Sequence, residues 1–156
     1  MKEVIIYTDG SAKGNPGNGG YGAVIIYTND KDETVEKTIS GGYPDTTNNR
    51  MEITAVIKAL QVLTIPCKVK VYSDSQYLVN TFNKRWINNW KRNGWKTANG
   101  NDVKNKDLWE VMLSLTKYHK VKFEWVKGHA ENKYNELCDK LATSAAEAVS
   151  KDMKGG

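Results

Sequence analysis

The sequence predicts one α/β domain built on a mixed five-stranded sheet flanked by helices. Three observations carry this. Segments rich in Val, Ile and Tyr alternate with segments of helical period. The first three strand-like segments are joined by short connections, which makes them antiparallel neighbours. A helical segment then separates the third strand from the fourth, which calls for a parallel crossover. At 156 residues the chain has the size of a single domain and can bury a core without disulfide staples.

Lys2 to Asp9 alternates and reads as the first strand. Gly10 to Gly20 holds Pro16 and five glycines and reads as a turn-rich loop. Tyr21 to Thr28 is the second strand, Asn29 to Lys31 a turn, and Glu33 to Ser40 the third strand. Thr47 or Asn48 can cap a helix running to about Leu63, with Met51, Ala55, Ile57, Ala59, Leu60 and Leu63 as its apolar stripe. Cys67 to Ser73 is the fourth strand, buried at Val69 and Val71, and a helix begins over Ser75 to Phe82. Short helices joined by a turn at Asn93-Gly94 are expected next. Lys104 to Tyr118 is a helix with Leu108, Val111, Met112 and Leu115 on one face. Lys120 to Val126 is the fifth strand, and Asn132 to Val149 a last helix with Leu137, Leu141 and Ala145 inward. Residues 1–149 thus form one domain, and 150–156 a flexible tail.

Composition narrows the function. Hydrophobic residues make 39% and charged residues 26%, which fits neither a disordered chain nor a membrane protein. No apolar run reaches the roughly 18 residues of a spanning helix. The first residues lack a signal-peptide pattern and there are only two cysteines, so a reducing cytoplasm is expected, with no membrane partner. The net charge of +5 is unevenly spread. Lys84, Arg85, Lys91, Arg92, Lys96, Lys104 and Lys106 face a single acid, Asp102, within one segment. That segment carries +6 and leaves the rest of the chain at −1. Trp86, Trp90 and Trp95 lie in it as well. Interleaved positive charge and aromatic rings suit a polyanion, and nucleic acid above all. A solvated helix with inward tryptophans has the same composition, and Trp86 and Trp90, four apart, predict that at least one packs inward.

Gly17-Asn18-Gly19-Gly20-Tyr21-Gly22 matches the dinucleotide-binding pattern, yet a strand follows where that site needs a helix. Its glycines are read as hairpin geometry. Asp9 and Asp74 each stand where a strand ends. If those strands are parallel neighbours, both carboxylates meet at the sheet edge where open α/β folds place their sites. Glu52 lies near the start of the first long helix and Asp139 inside the last. Each acid alone has a structural use, as a cap or an ion-pair member. Four converging acids repel one another unless a cation compensates, and oxygen-only ligands select Mg²⁺ or Mn²⁺. His129 sits in a polar loop and titrates near neutral pH. His119, at a helix end, reads as a cap on the negative end of the dipole.

These residues give the chain its likeness to a known family. Thr8-Asp9-Gly10-Ser11 with Gly14-Asn15-Pro16-Gly17, Thr47-Asn48-Asn49-Arg50-Met51-Glu52, Ser73-Asp74-Ser75-Gln76-Tyr77, Trp86-Ile87 through Trp90 to Gly94-Trp95-Lys96, Val103-Lys104-Asn105 with Asp107-Leu108-Trp109, and Val126-Lys127-Gly128-His129 with Asn135-Glu136 and Cys138-Asp139 follow one another in a fixed order. In these six blocks the sequence resembles bacterial-type ribonuclease H of type 1, nearly end to end.

The resemblance implies the ribonuclease H-like fold, with strands one to three antiparallel and strands four and five parallel to the first. It implies an endoribonuclease that hydrolyses the RNA strand of RNA–DNA hybrids, leaving 5′-phosphate and 3′-hydroxyl ends. Two Mg²⁺ ions, replaceable by Mn²⁺, would be held by Asp9, Glu52, Asp74 and Asp139, with His129 assisting proton transfer or product release. Asn15, Asn48 and Gln76 would read the minor groove of the hybrid and Thr47 would line a phosphate pocket. Asn105 would join Lys84, Arg85, Trp86, Trp90, Lys91, Arg92, Trp95 and Lys96 of a basic protrusion, about 84–106, in gripping the DNA strand. A monomer is expected. Glu131 stands where the family usually has a second glycine. Two rivals are another nuclease or strand-transfer enzyme of this fold, and a non-catalytic nucleic-acid-binding module. The basic segment and the histidine loop argue against the first, and the four acids against the second.

Overall fold

The computed structural model describes residues 1–127 and 132–155. Its elements are β1 (Lys2–Ala12), β2 (Gly17–Thr28), β3 (Thr34–Thr46), α1 (Asn48–Val62), β4 (Cys67–Ser73), α2 (Gln76–Asn83), α3 (Trp86–Arg92), α4 (Lys106–Tyr118), β5 (Lys120–Trp125) and α5 (Lys133–Gly155). The strands form one mixed sheet in the order β3-β2-β1-β4-β5. β1, β2 and β3 are antiparallel neighbours, and β4 and β5 run parallel to β1. This is the predicted topology. Among the described residues no helix is long and apolar enough to cross a membrane.

One side of the sheet carries α1, with α2 and α4 beside it. Val4, Ile6, Val69, Val71 and Phe123 from the strands meet Ile53, Val56, Leu60, Leu78, Trp109 and Met112 from the helices. Thr47 caps α1, its hydroxyl accepting from Arg50 N–H at 3.2 Å, and Ser75 caps α2 in the same way through Leu78 N–H. α5 covers the other side over β1, β2 and β3.

Five expectations are corrected here. The segment Gly10 to Gly20 is not mainly a loop: β1 continues to Ala12, β2 starts at Gly17, and only 13–16 connect them. The glycines of β2 are a packing surface. A Cβ on Gly22 would stand 2.7 Å from the Cys138 carbonyl oxygen, and one on Gly20 would collide with the Ala142 carbonyl. Backbone-level approach of α5 then turns small residues inward. Cys138, Ala142 and Ala146 are buried, while Leu137, expected inward, is 37% exposed. In α4 the core residues are Trp109 and Met112, and Val111 lies outside. α5 also runs on past Val149 to Gly155, so the segment expected as a tail continues the helix.

Candidate active site

Register puts Tyr7 beside Tyr72, so β1 and β4 reach the same edge and deliver Asp9 and Asp74 there. Glu52 comes from α1, and a glycine makes its approach possible. A Cβ on Gly10 would stand 2.5 Å from Glu52 N, so only glycine lets the helix backbone lie this close to β1. The Gly10 N–H then donates to both acids, at 2.9 Å to Asp9 Oδ1 and 3.0 Å to Glu52 Oε1. One ligand oxygen each from Asp9, Glu52 and Asp74 lies within 4.8 Å of the others.

Asp139 is not part of that tight cluster. It lines the adjoining cleft with Thr8, Asp9, Asp74, Asn135, Glu136 and Lys140. Lys140 brings a cation to the rim, a residue whose part in the site the sequence reading did not single out.

The electrostatics follow from crowding and burial. Burial, reinforced by the charges of Asp74 and Asp139, pushes the Asp9 carboxyl up to about 6 against the hydrogen bonds from Glu52 and Gly10. Glu52 is raised well above the ordinary carboxylate range, first by burial and then by the charges of Asp9 and Asp74. Its second oxygen, Oε2, is buried with no hydrogen-bond partner among the described residues. A buried carboxylate oxygen aimed at nothing, beside two more acids, matches a hard divalent cation. Among the described residues this cluster contains no thiolate or imidazole.

The other expected residues surround this edge. Asn15 lies in the β1–β2 connection, Asn48 opens α1 and Gln76 opens α2, all exposed. Asn48 Oδ1 accepts from Ala12 N–H at 2.6 Å, which turns its NH₂ outward. The Thr47 hydroxyl is engaged as the α1 cap. His129 lies outside the described residues, as do Gly128, Ala130 and Glu131.

The basic segment contains one helix, α3, where short helices joined by a turn were expected. After it the chain turns at Gly94, φ +67°, and Lys96 pairs in a short bridge with Asp102, which also takes its ammonium as an ion pair. Lys84, Arg85, Lys91, Arg92 and Lys96 are exposed, and Trp86, Trp90 and Trp95 half-buried. Trp90 packs inward against Trp109 at 6.1 Å between centroids, as its spacing from Trp86 predicted. Arg85, Trp95 and Asn105 all hold positive φ. Asn105 is fixed from two sides: Arg50 Nη1 donates to its Oδ1 at 3.2 Å, and its Nδ2 donates to the Tyr77 hydroxyl at 3.4 Å. Arg50 also grips Asp107 with both terminal nitrogens, at 3.1 and 2.7 Å. No periodicity pointed to this clamp between α1 and α4, because it joins residues more than fifty positions apart.

Two further residues are reassigned. His119 is no charged dipole cap. Its Nδ1 accepts from Cys67 N–H at 3.1 Å, and burial holds it below its usual value, so it is a neutral core residue. The Cys138 thiol donates to the Tyr7 carbonyl at 3.3 Å and is pushed up to about 12, mainly by burial, so it is unreactive despite its place beside Asp139.

Comparison with known proteins agrees with this geometry. The RNase H family profile matches residues 1–147. The ribonuclease H of Acetivibrio thermocellus is 53% identical over 151 residues, covering 97% of this chain and 99% of that protein. The ribonuclease H of Chlorobaculum parvum is 52% identical over 144 residues, covering 92% and 95%. Among solved structures, LC9-RNase H1, described as a type 1 RNase H with the type 2 active-site motif, superposes with a TM-score of 0.84 at 32% identity over 95% of this chain and 74% of that one. LC11-RNase H1 in complex with an RNA/DNA hybrid gives 0.67 at 26% identity over 94% and 98%.

Proposed function

The chain belongs to the ribonuclease H family, and from that premise we propose that it hydrolyses the RNA strand of RNA–DNA hybrids with Mg²⁺ held by Asp9, Glu52, Asp74 and Asp139. The observation that carries the metal is Glu52 Oε2, a buried oxygen without a partner beside two further carboxylates. When bound, Mg²⁺ supplies an activated water and stabilises the departing 3′-oxygen, so the products end in 5′-phosphate and 3′-hydroxyl. Mn²⁺, with the same taste for oxygen ligands, is the expected substitute.

The protein's own residues do the positioning. The Gly10 N–H orients Asp9 and Glu52 together, so the two acids cannot rotate independently. Asn48, pinned by Ala12, offers its amide NH₂ to the minor groove, and Asn15 and Gln76 flank it on the same edge. These amides suit 2′-hydroxyl contacts, which distinguish RNA from DNA. Thr47 supplies the phosphate pocket through its exposed surroundings while capping α1. His129 assists proton transfer or product release. Lys84, Arg85, Lys91, Arg92 and Lys96, with Trp86, Trp90, Trp95 and Asn105, hold the DNA strand by charge and ring contact. The working unit is a cytoplasmic monomer of one catalytic domain.

A hybrid labelled separately on each strand tests this directly. Only the RNA strand should be cut, and only with Mg²⁺ or Mn²⁺ present. Cleavage of a DNA duplex, or cleavage in EDTA, would overturn the reading.

A further inference from the structure

α5 packs over β1, β2 and β3, so on its side of the sheet the last two strands, β4 and β5, are open. Burial alternates along both. Cys67, Val69, Val71 and Phe123 face the core, and Lys68, Lys70, Lys120 and Lys122 are exposed on the other face. Parallel register sets Lys68 beside Lys120 and Lys70 beside Lys122. Ile5, 40% exposed, is the β1 neighbour of Lys70 on this open face.

Like charges directly opposite one another destabilise a strand pair. Two acids of the same face moderate them: Glu3 lies 4.0 Å from Lys68 and Glu124 lies 3.7 Å from Lys122. Four lysines against these two glutamates leave the face positive. Protection of a sheet edge explains lysines on β5, the outermost strand. It does not explain those on β4, which is paired on both sides.

The face leads to the carboxylate cleft. Along β4 the outward positions run from Lys68 and Lys70 to Tyr72, and Asp74 follows at the next position of that series. Tyr72 stacks on Tyr7 with 4.8 Å between centroids, and Tyr134 of α5 lies 5.1 Å from Tyr7. At about 3.3 Å per strand residue, Lys70 stands roughly 13 Å and Lys68 roughly 20 Å from Asp74, a run over which one duplex strand displays about four to six phosphates. The protrusion grips from the opposite side, where α2 and α3 lie with α1.

We propose that the lysine face of β4 and β5 is a second phosphate-contacting surface, which holds nucleic acid that extends beyond the catalytic cleft. This rests on the hybrid-cutting reading above, and it adds a preference for long substrates. The lysines serve as point charges to the backbone and carry no sequence readout.

The test replaces Lys68, Lys70, Lys120 and Lys122 together with Ala, and separately makes Lys70→Glu. Binding is measured in EDTA on a short hybrid confined to the cleft and on a long one that extends past it. The fourfold variant should bind the long hybrid about tenfold more weakly at low salt, with the slope of log K against log salt shallower by about two. Lys70→Glu should weaken it in the same direction. Binding and strand-specific cleavage of the short hybrid should stay at wild-type level, and the melting temperature should rise as the paired lysines are removed. Unchanged affinity and slope on the long hybrid would overturn the proposal. So would lysine-dependent binding to phosphatidylglycerol vesicles with hybrid binding unchanged, which would assign the face to lipid. Failure of the underlying reading shows differently: the wild type would then leave the short hybrid uncut.

Discussion

Asp9, Glu52 and Asp74 stand on elements packed backbone against backbone, whereas Lys84, Arg85, Lys91 and Arg92 stand on and before a short helix that reaches the core through Ile87 and Trp90. The first region has its acids buried or half-buried, and Asp9 and Glu52 share a hydrogen-bond donor and have raised proton affinities. The second has its charges in solvent and three non-glycine residues in the left-handed region of the backbone. Cation chemistry needs oxygens held to a fraction of an ångström, so it sits where the core dictates position. Holding a polyanion, the role proposed for the protrusion, needs summed charge and tolerates local adjustment, which a periphery provides. The carboxylate edge should therefore fail by geometry and charge, and the protrusion by salt.

The largest effect is expected from Asp9→Asn. Removing this charge from the cluster should abolish metal-dependent cleavage while leaving the fold intact. At pH 7 the metal-free variant should be more stable than wild type by on the order of 2–3 kcal/mol, because a carboxyl raised from 3.8 to about 6 is ionised there against its environment. Calorimetry in EDTA together with the strand-labelled assay checks both halves. Near wild-type turnover would remove Asp9 from the site.

Next in size is Gly10→Ala, which adds one methyl group and no charge. Its Cβ would meet the Met51 and Glu52 backbone, so α1 must move outward. Overpacking of this kind costs about 1–3 kcal/mol, with backbone contacts at the upper end. The Glu52 carboxylate moves with the helix, so cleavage should fall far more than the stability change explains, and the Mg²⁺ concentration for half-maximal rate should rise. A variant that only lost stability would show that Glu52 is placed independently of this contact.

The same contrast decides what was legible in the sequence. The antiparallel run of the first three strands, the limits of β4 and the Thr47 cap were legible because alternation, short turns and capping are local. Asp9, Glu52 and Asp74, which the structure brings together, were marked by strand ends, a helix start and family motifs, whereas Asp139 stands apart in the adjoining cleft. The glycines of β2 were misread because a glycine in a strand looks like a turn unless the helix lying on it is known, and that contact spans more than a hundred residues. The inward face of α5 was misjudged for the same reason. Leu137 is the more apolar choice, yet a glycine-lined sheet admits Cys138, Ala142 and Ala146, with Leu141 and Ala145 against Gly22 and Gly20 as expected. In the protrusion, Lys96 with Asp102 and the positive-φ residues make a bridged loop that no helical period could announce.

A smaller effect on chemistry is expected in the protrusion. Replacing Lys84, Arg85, Lys91 and Arg92 with Ala should flatten the slope of log K against log salt by up to about 3 to 4 and raise KM at physiological salt, with kcat nearly unchanged. Trp90→Ala is the control within the same segment. Its ring lies half-buried against Trp109, so its loss should destabilise the fold by about 1–3 kcal/mol without altering the salt slope. If the basic variant kept both slope and KM, the segment would be a solvated face only.

The smallest effect is expected in the acid dependence of the metal-free protein, where two groups act against each other. Asp9 is raised when folded, so the stability it contributes is fully present below its ordinary value of 3.8 and is lost as pH rises through about 6. Glu52 acts in the same sense. His119 is lowered from 6.5, so its contribution is present above 6.5 and is lost as pH falls. Acidification from pH 6.5 towards 4 thus gains at the carboxylate edge and loses at the far end of the sheet, where His119 holds the start of β4 through Cys67 N–H. The wild-type melting temperature in EDTA should shift across this window by less than the two carboxyls alone would shift it. Asp9→Asn removes part of the gain, so its melting temperature should respond to acid less favourably than the wild type's. His119→Asn removes the titrating ring, retains an acceptor for Cys67 N–H, and should respond more favourably than the wild type from a lower starting point. If the two variants did not bracket the wild type in slope, the raised carboxyls and the neutral histidine would not be the opposing groups that the structure describes.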